Sequence, residues 1–152
     1  MRAVFLDYQS MKPEELDFDR LAQATSELVT HDATPAHLVA ERIQGFGVVI
    51  LNKVKFLREH FEGAPDLKLI LVSATGTDNV DKVAAAEHGV VVCNVAAYGT
   101  PSVSQHTLML MLMVATQVER YRDDVRAGKW SVGAMFCLMD YPILDLSGRT
   151  LG

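Results

Sequence analysis

The stretch Leu69-Ile70-Leu71-Val72-Ser73-Ala74-Thr75-Gly76-Thr77-Asp78-Asn79-Val80-Asp81 decides the fold. Its first four residues form an unbroken apolar run without the polar alternation of a half-exposed strand, so they read as a strand covered on both faces. A polar, glycine-containing loop follows, and Val80 to His88 then has helical spacing that Gly89 ends. A second β-branched run, Val90-Val91-Val92-Cys93, comes next. Strand, crossover helix and strand make a βαβ unit, the building block of a parallel sheet.

The same pattern extends outward. Val4-Phe5-Leu6 and Val48-Val49-Ile50-Leu51 are further apolar runs, and Glu27-Leu28-Val29 is a weaker fifth strand. Pro13 to Ala24, Pro35 to Gln44 and Val54 to Phe61 have helical spacing, two of them opened by a proline suited to a first turn. Gly45, Gly47 and Gly63 stand where these helices should end. The expectation is an α/β fold over residues 1–97, a five-stranded flavodoxin-like parallel sheet with helices on both faces. From residue 98 the pattern changes. Thr100 can cap a helix whose first position is Pro101, Ser102 and Gln105 have capping-box spacing, and the helix should run to about Ala127, stopped by Gly128. Its segment Leu108-Met109-Leu110-Met111-Leu112-Met113-Val114-Ala115 is apolar on every side and is expected to be covered all round. Two coverings fit: a central core position, or a place between a second domain and a partner subunit.

Composition sets the bounds. The 152 residues suit one domain, or one domain and a piece of another, and 49% apolar with 22% charged is the balance of a globular chain. A net charge of −5 gives no electrostatic reason to expect nucleic acid or an anionic membrane as partner. The run from Leu108 to Ala115 falls far short of the ~20 apolar residues that a membrane span needs. The start Met1-Arg2-Ala3-Val4-Phe5-Leu6-Asp7 turns acidic too soon for a signal peptide. Cys93 and Cys137 are isolated from each other, which suggests neither a disulfide framework nor a zinc site and fits a cytoplasmic protein. His31, His37, His60 and His88 lack metal-ligand spacing, and His106 sits among apolar neighbours where burial is expected. No metal site and no catalytic residue is assigned.

In a parallel α/β sheet, ligands bind beyond the carboxyl ends of the strands, where the strand order reverses. Those ends carry Asp7-Tyr8-Gln9-Ser10, Asn52-Lys53, Ser73 through Thr77, and Asn94 through Tyr98. Lys53 offers a positive charge and Asn52 an amide. Thr75 and Gly76 precede a helix expected to begin near Asp78 or Asn79, so backbone N–H groups there can face a small carboxylate, and Gly76 permits a positive φ or a close approach. The same residues also suit a plain polar turn. Tyr98-Gly99 is a natural hinge. A phosphoryl-accepting receiver is disfavoured because Asp7 is followed by Tyr8 and Asn52-Lys53 stands where an aspartate would be needed. A flavin module would want a phosphate loop where Asp7 to Pro13 stands.

Ser73 through Asp81, Tyr98 through Thr107, Arg126-Ala127-Gly128-Lys129-Trp130, Asp140 through Gly148 and the terminal Leu146 through Gly152 together resemble the D-isomer-specific 2-hydroxyacid dehydrogenases. The likeness covers about residues 45–152, with a looser match before, and its last part is most like glycerate dehydrogenases, also called hydroxypyruvate reductases. Ser104-Gln105-His106 stands where the family more usually has Ala-Glu-His. The resemblance implies a substrate-binding domain over 1–97 and, over 98–152, a hinge and the start of an NAD(P)-binding Rossmann domain. It implies that Thr75 and Gly76 hold a substrate carboxylate and that Tyr98, Thr100, Val103 and Thr107 lie near the nicotinamide of NAD or NADP and the domain crossing, so Tyr98 joins Asn52 and Lys53 of the strand ends on the substrate side. The family's catalytic histidine, its carboxylate partner and its arginine come after the glycine-rich dinucleotide loop, which is expected to follow Gly152. The chain is thus expected to be the N-terminal part of a homodimeric enzyme that moves a hydride between NAD(P)H and a small 2-oxo or 2-hydroxy acid such as hydroxypyruvate, D-glycerate or glyoxylate. On its own it should bind no cofactor and be inactive. A non-catalytic flavodoxin-like module that dimerises through its long helix is the alternative.

Overall fold

Val48–Leu51 is buried along its whole length and forms β3, the central strand of a five-stranded parallel sheet. In the computed structural model, which describes residues 1–151, the remaining strands are β1 (Arg2–Phe5), β2 (Glu27–Thr30), β4 (Leu69–Val72) and β5 (Val91–Asn94). Their order is β2-β1-β3-β4-β5, the flavodoxin-like order expected from the sequence. The order reverses at β1, so the switch point lies between the carboxyl ends of β1 and β3. The period of two divides the core. Val4, Val49, Leu51, Ile70 and Val72 face α2 (Val39–Arg42), α3 (Arg58–Glu62) and α4 (Lys82–Glu87) through Val39, Phe61 and Ala84. Ala3, Phe5, Val48 and Ile50 face the other way, against Tyr8, Met11, Phe18 and Leu21. Each fully buried aliphatic or aromatic side chain is worth roughly 1.5–3 kcal/mol.

The helices are shorter than their spacing suggests, for local reasons. The stretch Pro13 to Ala24 becomes a 3₁₀ turn, an extended Leu16, and then α1 (Asp19–Gln23). Asp17 accepts the Asp19 amide at 2.9 Å, and the Phe18 ring packs 4.8 Å from Tyr8 and 6.3 Å from Phe5, which requires the break. The stretch from Pro35 is a 3₁₀ turn, Ala36–Leu38, running into α2. Val54 to Phe56 stays extended because Phe56 makes a parallel bridge with Val80, donating to the Asn79 carbonyl at 2.7 Å and accepting from the Asp81 amide at 2.9 Å. That bridge delays α4 to Lys82, with Asp81 capping it through the Ala84 amide at 2.9 Å. Coverage also departs from expectation at the edge. Val91 is 58% exposed and Cys93 is exposed, because only the α1 segment and 3₁₀ turns line that face of the sheet.

The chain divides into two compact units, one ending at Tyr98 and the other beginning at Gly99. In the second, the helix expected over Thr100 to Ala127 is two helices, α5 (Thr100–Ala115) and α6 (Val118–Arg126), followed by the short α7 (Lys129–Val132). Gln117 adopts a left-handed φ of 53°, the Thr116 hydroxyl bonds back to the Leu112 carbonyl at 2.7 Å, and the freed Ala115 carbonyl accepts the Leu144 amide at 2.8 Å. Gly99, not Thr100, occupies the N-cap, and the Ser102 hydroxyl donates to the Gly99 carbonyl at 3.2 Å. His106, expected to be buried, is exposed, as are Leu108, Leu110, Leu112 and Val114. Beyond α6, Asp124 accepts from Lys129 at 3.0 Å and from the Tyr141 hydroxyl at 2.9 Å, while the Tyr121 hydroxyl donates to the Tyr141 carbonyl at 2.9 Å. These bonds hold Asp124 below the usual carboxylate range and fix the segment around Tyr141 to α6.

Candidate functional site

The first strand ends in Leu6, and the next residue, Asp7, is an acid only 6% exposed. A buried carboxylate needs donors on nearly every lone pair. Asp7 finds them in backbone: the Asn52 N–H at 2.9 Å on Oδ1, and the Lys53 and Val54 N–H groups on Oδ2, the latter at 3.2 Å. The carboxyl end of β1 thus holds the loop leaving β3, at the switch point of the sheet. From the β4–α4 loop, the Asn79 amide donates to the Asn52 carbonyl at 3.2 Å and to the Val54 carbonyl at 3.0 Å. The Asn52 side chain, also buried, donates to the Ser10 hydroxyl at 3.0 Å.

Above this framework lies an open cleft of about 560 Å³, lined by Ser10, Met11, Lys12, Asn52, Lys53, Ser73, Val95 and Tyr98. Its charged lining residues are two lysines, Lys12 and Lys53, with no acid. Lys12 has a left-handed φ of 50°, between two 3₁₀ turns. The cleft combines cations, an amide, hydroxyls and two apolar walls, which suits a small carboxylate with a short polar substituent.

Of the substrate-side residues expected from the sequence, Asn52, Lys53 and Tyr98 meet at this cleft, Tyr98 being 66% exposed. Thr75 and Gly76 are exposed on the neighbouring loop but do not line it. The Thr75 hydroxyl donates to the Val95 carbonyl at 2.9 Å, and its carbonyl accepts from the Asn94 amide at 2.7 Å. The helix-start ground for the anion expectation fails here, and of the two uses open to Gly76 the positive φ is not the one taken. The following helix starts at Lys82 rather than Asp78 or Asn79, so its N-terminus is not at Thr75, and Gly76 is not among the glycines with positive φ. The residue has open space where a Cβ would stand.

Thr100, Val103 and Thr107 lie in the second unit, exposed and spaced to share one face of α5, with the Thr107 hydroxyl donating to the Val103 carbonyl at 2.8 Å. Among the described residues no cluster of three or more histidines, cysteines or acids could hold a metal ion. Sequence reasoning puts Asp7 at this edge without a role for it, and gives none to Lys12 or Asn79. An acid directly after a buried apolar run was the available signal for Asp7.

A family model, "D-isomer specific 2-hydroxyacid dehydrogenase, catalytic domain", matches residues 4–140. The likeness therefore reaches nearly the start of the chain. Among curated relatives, the glycerate dehydrogenase of Methylorubrum extorquens is 38% identical, covering 99% of this chain and 47% of the relative. The hydroxypyruvate reductase of Blautia hydrogenotrophica is 35% identical, covering 100% and 48%. The chain spans about half the length of these curated relatives. Among solved structures, the NADPH-dependent glyoxylate/hydroxypyruvate reductase of Sinorhizobium meliloti in complex with citrate shares the fold with a TM-score of 0.71 at 22% identity, covering 98% of this chain and 44% of that one. The NAD-dependent formate dehydrogenase of Staphylococcus aureus in complex with NAD gives 0.65 at 25% identity, with 86% and 42% covered.

Proposed function

We propose, from the premise that this chain belongs to the D-isomer specific 2-hydroxyacid dehydrogenase family, that its first unit is the substrate-side wall of an enzyme that moves a hydride between NAD(P)H and a small 2-oxo or 2-hydroxy acid. The observation that carries this reading is the cleft at the β1/β3 switch point, where Lys53, Asn52 and Tyr98 converge on a space with cationic and no anionic side chains. Lys53 attracts the acid's carboxylate, the Ser10 and Ser73 hydroxyls suit a 3-hydroxyl, and Met11 and Val95 pack against the carbon skeleton. Hydroxypyruvate and D-glycerate have these parts, and the names of the relatives point the same way. Thr75 and Gly76, on an exposed loop with open space at Gly76, form the neighbouring rim that a carboxylate can reach by its backbone.

Residues 1–97 are then the substrate-binding domain, and from residue 98 the chain enters the cofactor domain, with Tyr98-Gly99 as the hinge. The exposed face of Thr100, Val103 and Thr107 combines an apolar patch with hydroxyl-bearing residues, which fits the edge of a nicotinamide; when bound, that ring supplies or accepts the hydride. The apolar side chains on α5 support a homodimer formed through that helix. The two free cysteines suit a reducing compartment, the cytoplasm, and no helix among the described residues is long and apolar enough to cross a membrane.

These residues include no Gly-x-Gly-x-x-Gly turn, so the 152-residue chain alone should turn over no substrate. The test is NADH- and NADPH-linked reduction of hydroxypyruvate and glyoxylate by this chain beside a chain extended to its relatives' length. Activity only in the longer chain supports the proposal. Silence from both overturns the function, and equal rates overturn the division of labour.

A further inference from the structure

We infer that Asp7 and Asn79 are positioning residues that grip the segment Asn52–Val54 by its N–H groups and its carbonyls respectively, and so present Lys53 to an anionic group in the cleft. The inference rests on the function proposed above and deepens it. Three consecutive backbone N–H groups, those of Asn52, Lys53 and Val54, converge on the Asp7 carboxylate. The carbonyls of Asn52 and Val54 share the Asn79 amide. A segment whose donors and acceptors are both taken by side chains from other strand ends cannot rotate its peptide planes without breaking several bonds at once. Lys53 is its middle residue. Its Cα is fixed while its side chain stays exposed, so the ammonium moves only within the reach of a lysine stem from a set point on the cleft wall.

The same bonds remove a competitor. The Asp7 carboxylate is nearly shut off from solvent and its oxygens face backbone amides, so it does not present itself to the cleft as a rival anion. An acid placed beside an anion-binding lysine is thereby converted into a device for holding that lysine. Asn79 adds the constraint that Asp7 alone lacks, since the Val54 carbonyl belongs to the next peptide plane, whose N–H the carboxylate does not hold.

The experiment is a titration of the ¹⁵N-labelled 152-residue chain with D-glycerate at fixed ionic strength, following the amides of residues 10–12, 52–53 and 73. Parent, Lys53→Ala, Asp7→Asn, Asn79→Ala and the two double variants with Lys53→Ala are compared. Each single variant is expected to weaken apparent binding about tenfold, the scale of one charge-assisted contact. Each double variant is expected to bind no more weakly than Lys53→Ala alone, because a positioning residue acts only through the lysine it holds. A merely structural role for Asp7 and Asn79 would not give that saturation. Losses that multiply in the double variants overturn the positioning role while leaving the anion site intact. No titration of the parent chain overturns both. Should Asp7→Asn fail to fold, Asn79→Ala completes the cycle, since it removes contacts on the half-buried side of the segment.

Discussion

Asp7 is a charged group in a place where charge is costly, and its acceptability depends on backbone donors alone. Replacing it with alanine leaves three buried or half-buried N–H groups without their acceptor, so Asp7→Ala should cost about 3 kcal/mol of unfolding free energy. Urea unfolding monitored by circular dichroism checks this, and a loss under about 1 kcal/mol would contradict the bonding described. His60 makes a second residue-scale prediction. Its Nδ1 accepts the Leu57 N–H at 2.9 Å, a bond that only the neutral ring can make, and burial pushes its pKa below the ordinary 6.5, with Glu59 opposing. Because the unfolded chain binds the proton more readily, stability from this site is complete above pH 6.5 and declines as pH falls through 6.5 toward the lower folded value. Unfolding free energies between pH 8 and 5 should show that decline, and His60→Gln should flatten it. An identical slope in the variant would count against the assignment.

At the scale of elements, α5 and α6 show what spacing can and cannot reveal. The apolar and helical pattern runs on from Thr100 to Ala127, yet the chain breaks at Gln117, in a backbone region that costs a non-glycine residue about 1 kcal/mol. Gln117→Gly is therefore expected to stabilise the chain by roughly 0.5–1 kcal/mol, read as a rise in thermal midpoint. A lower midpoint would mean that the glutamine side chain contributes more than its backbone loses. The break was not legible because its cause, the Leu144 amide on the Ala115 carbonyl, comes from far along the chain. By contrast β3 and β4 have the bounds that their apolar runs suggest, because a strand buried among neighbours must be apolar throughout. The cleft was half legible on the same grounds. Asn52, Lys53 and Tyr98 follow from the strand-end rule, whereas the Asp7 clamp uses backbone groups that no side-chain spacing records. Leu108 and Leu112 of α5 are apolar side chains that stand exposed. If α5 pairs with a second copy, Leu108→Gln and Leu112→Gln should shift sedimentation toward the monomer while changing monomer stability by less than about 0.5 kcal/mol. A parent chain that sediments as a monomer at high concentration removes the dimer from the proposal.

Across the whole molecule, burial is divided unequally between the two units. Every fully or nearly buried apolar side chain among the described residues belongs to the first unit except Ala115. The first unit has a two-faced core around its sheet, and the second has two well-formed helices, a tyrosine–aspartate–lysine network and almost no interior. Hydrogen bonds of that kind contribute about 1 kcal/mol each at best and less when exposed, so they cannot replace a core in offsetting chain entropy. A polypeptide of residues 1–98 should therefore fold alone, with dispersed amide resonances and a cooperative urea transition close to that of the longer chain. Residues 99–152 alone should show partial helicity that fades without a cooperative transition. Such an outcome matches the proposed function, in which the first unit is a complete ligand-binding wall and the second needs further surfaces to cover α5. A cooperative transition in 99–152, or a molten 1–98, would show that the two units are stabilised in some other way and would remove the physical basis for assigning them separate roles.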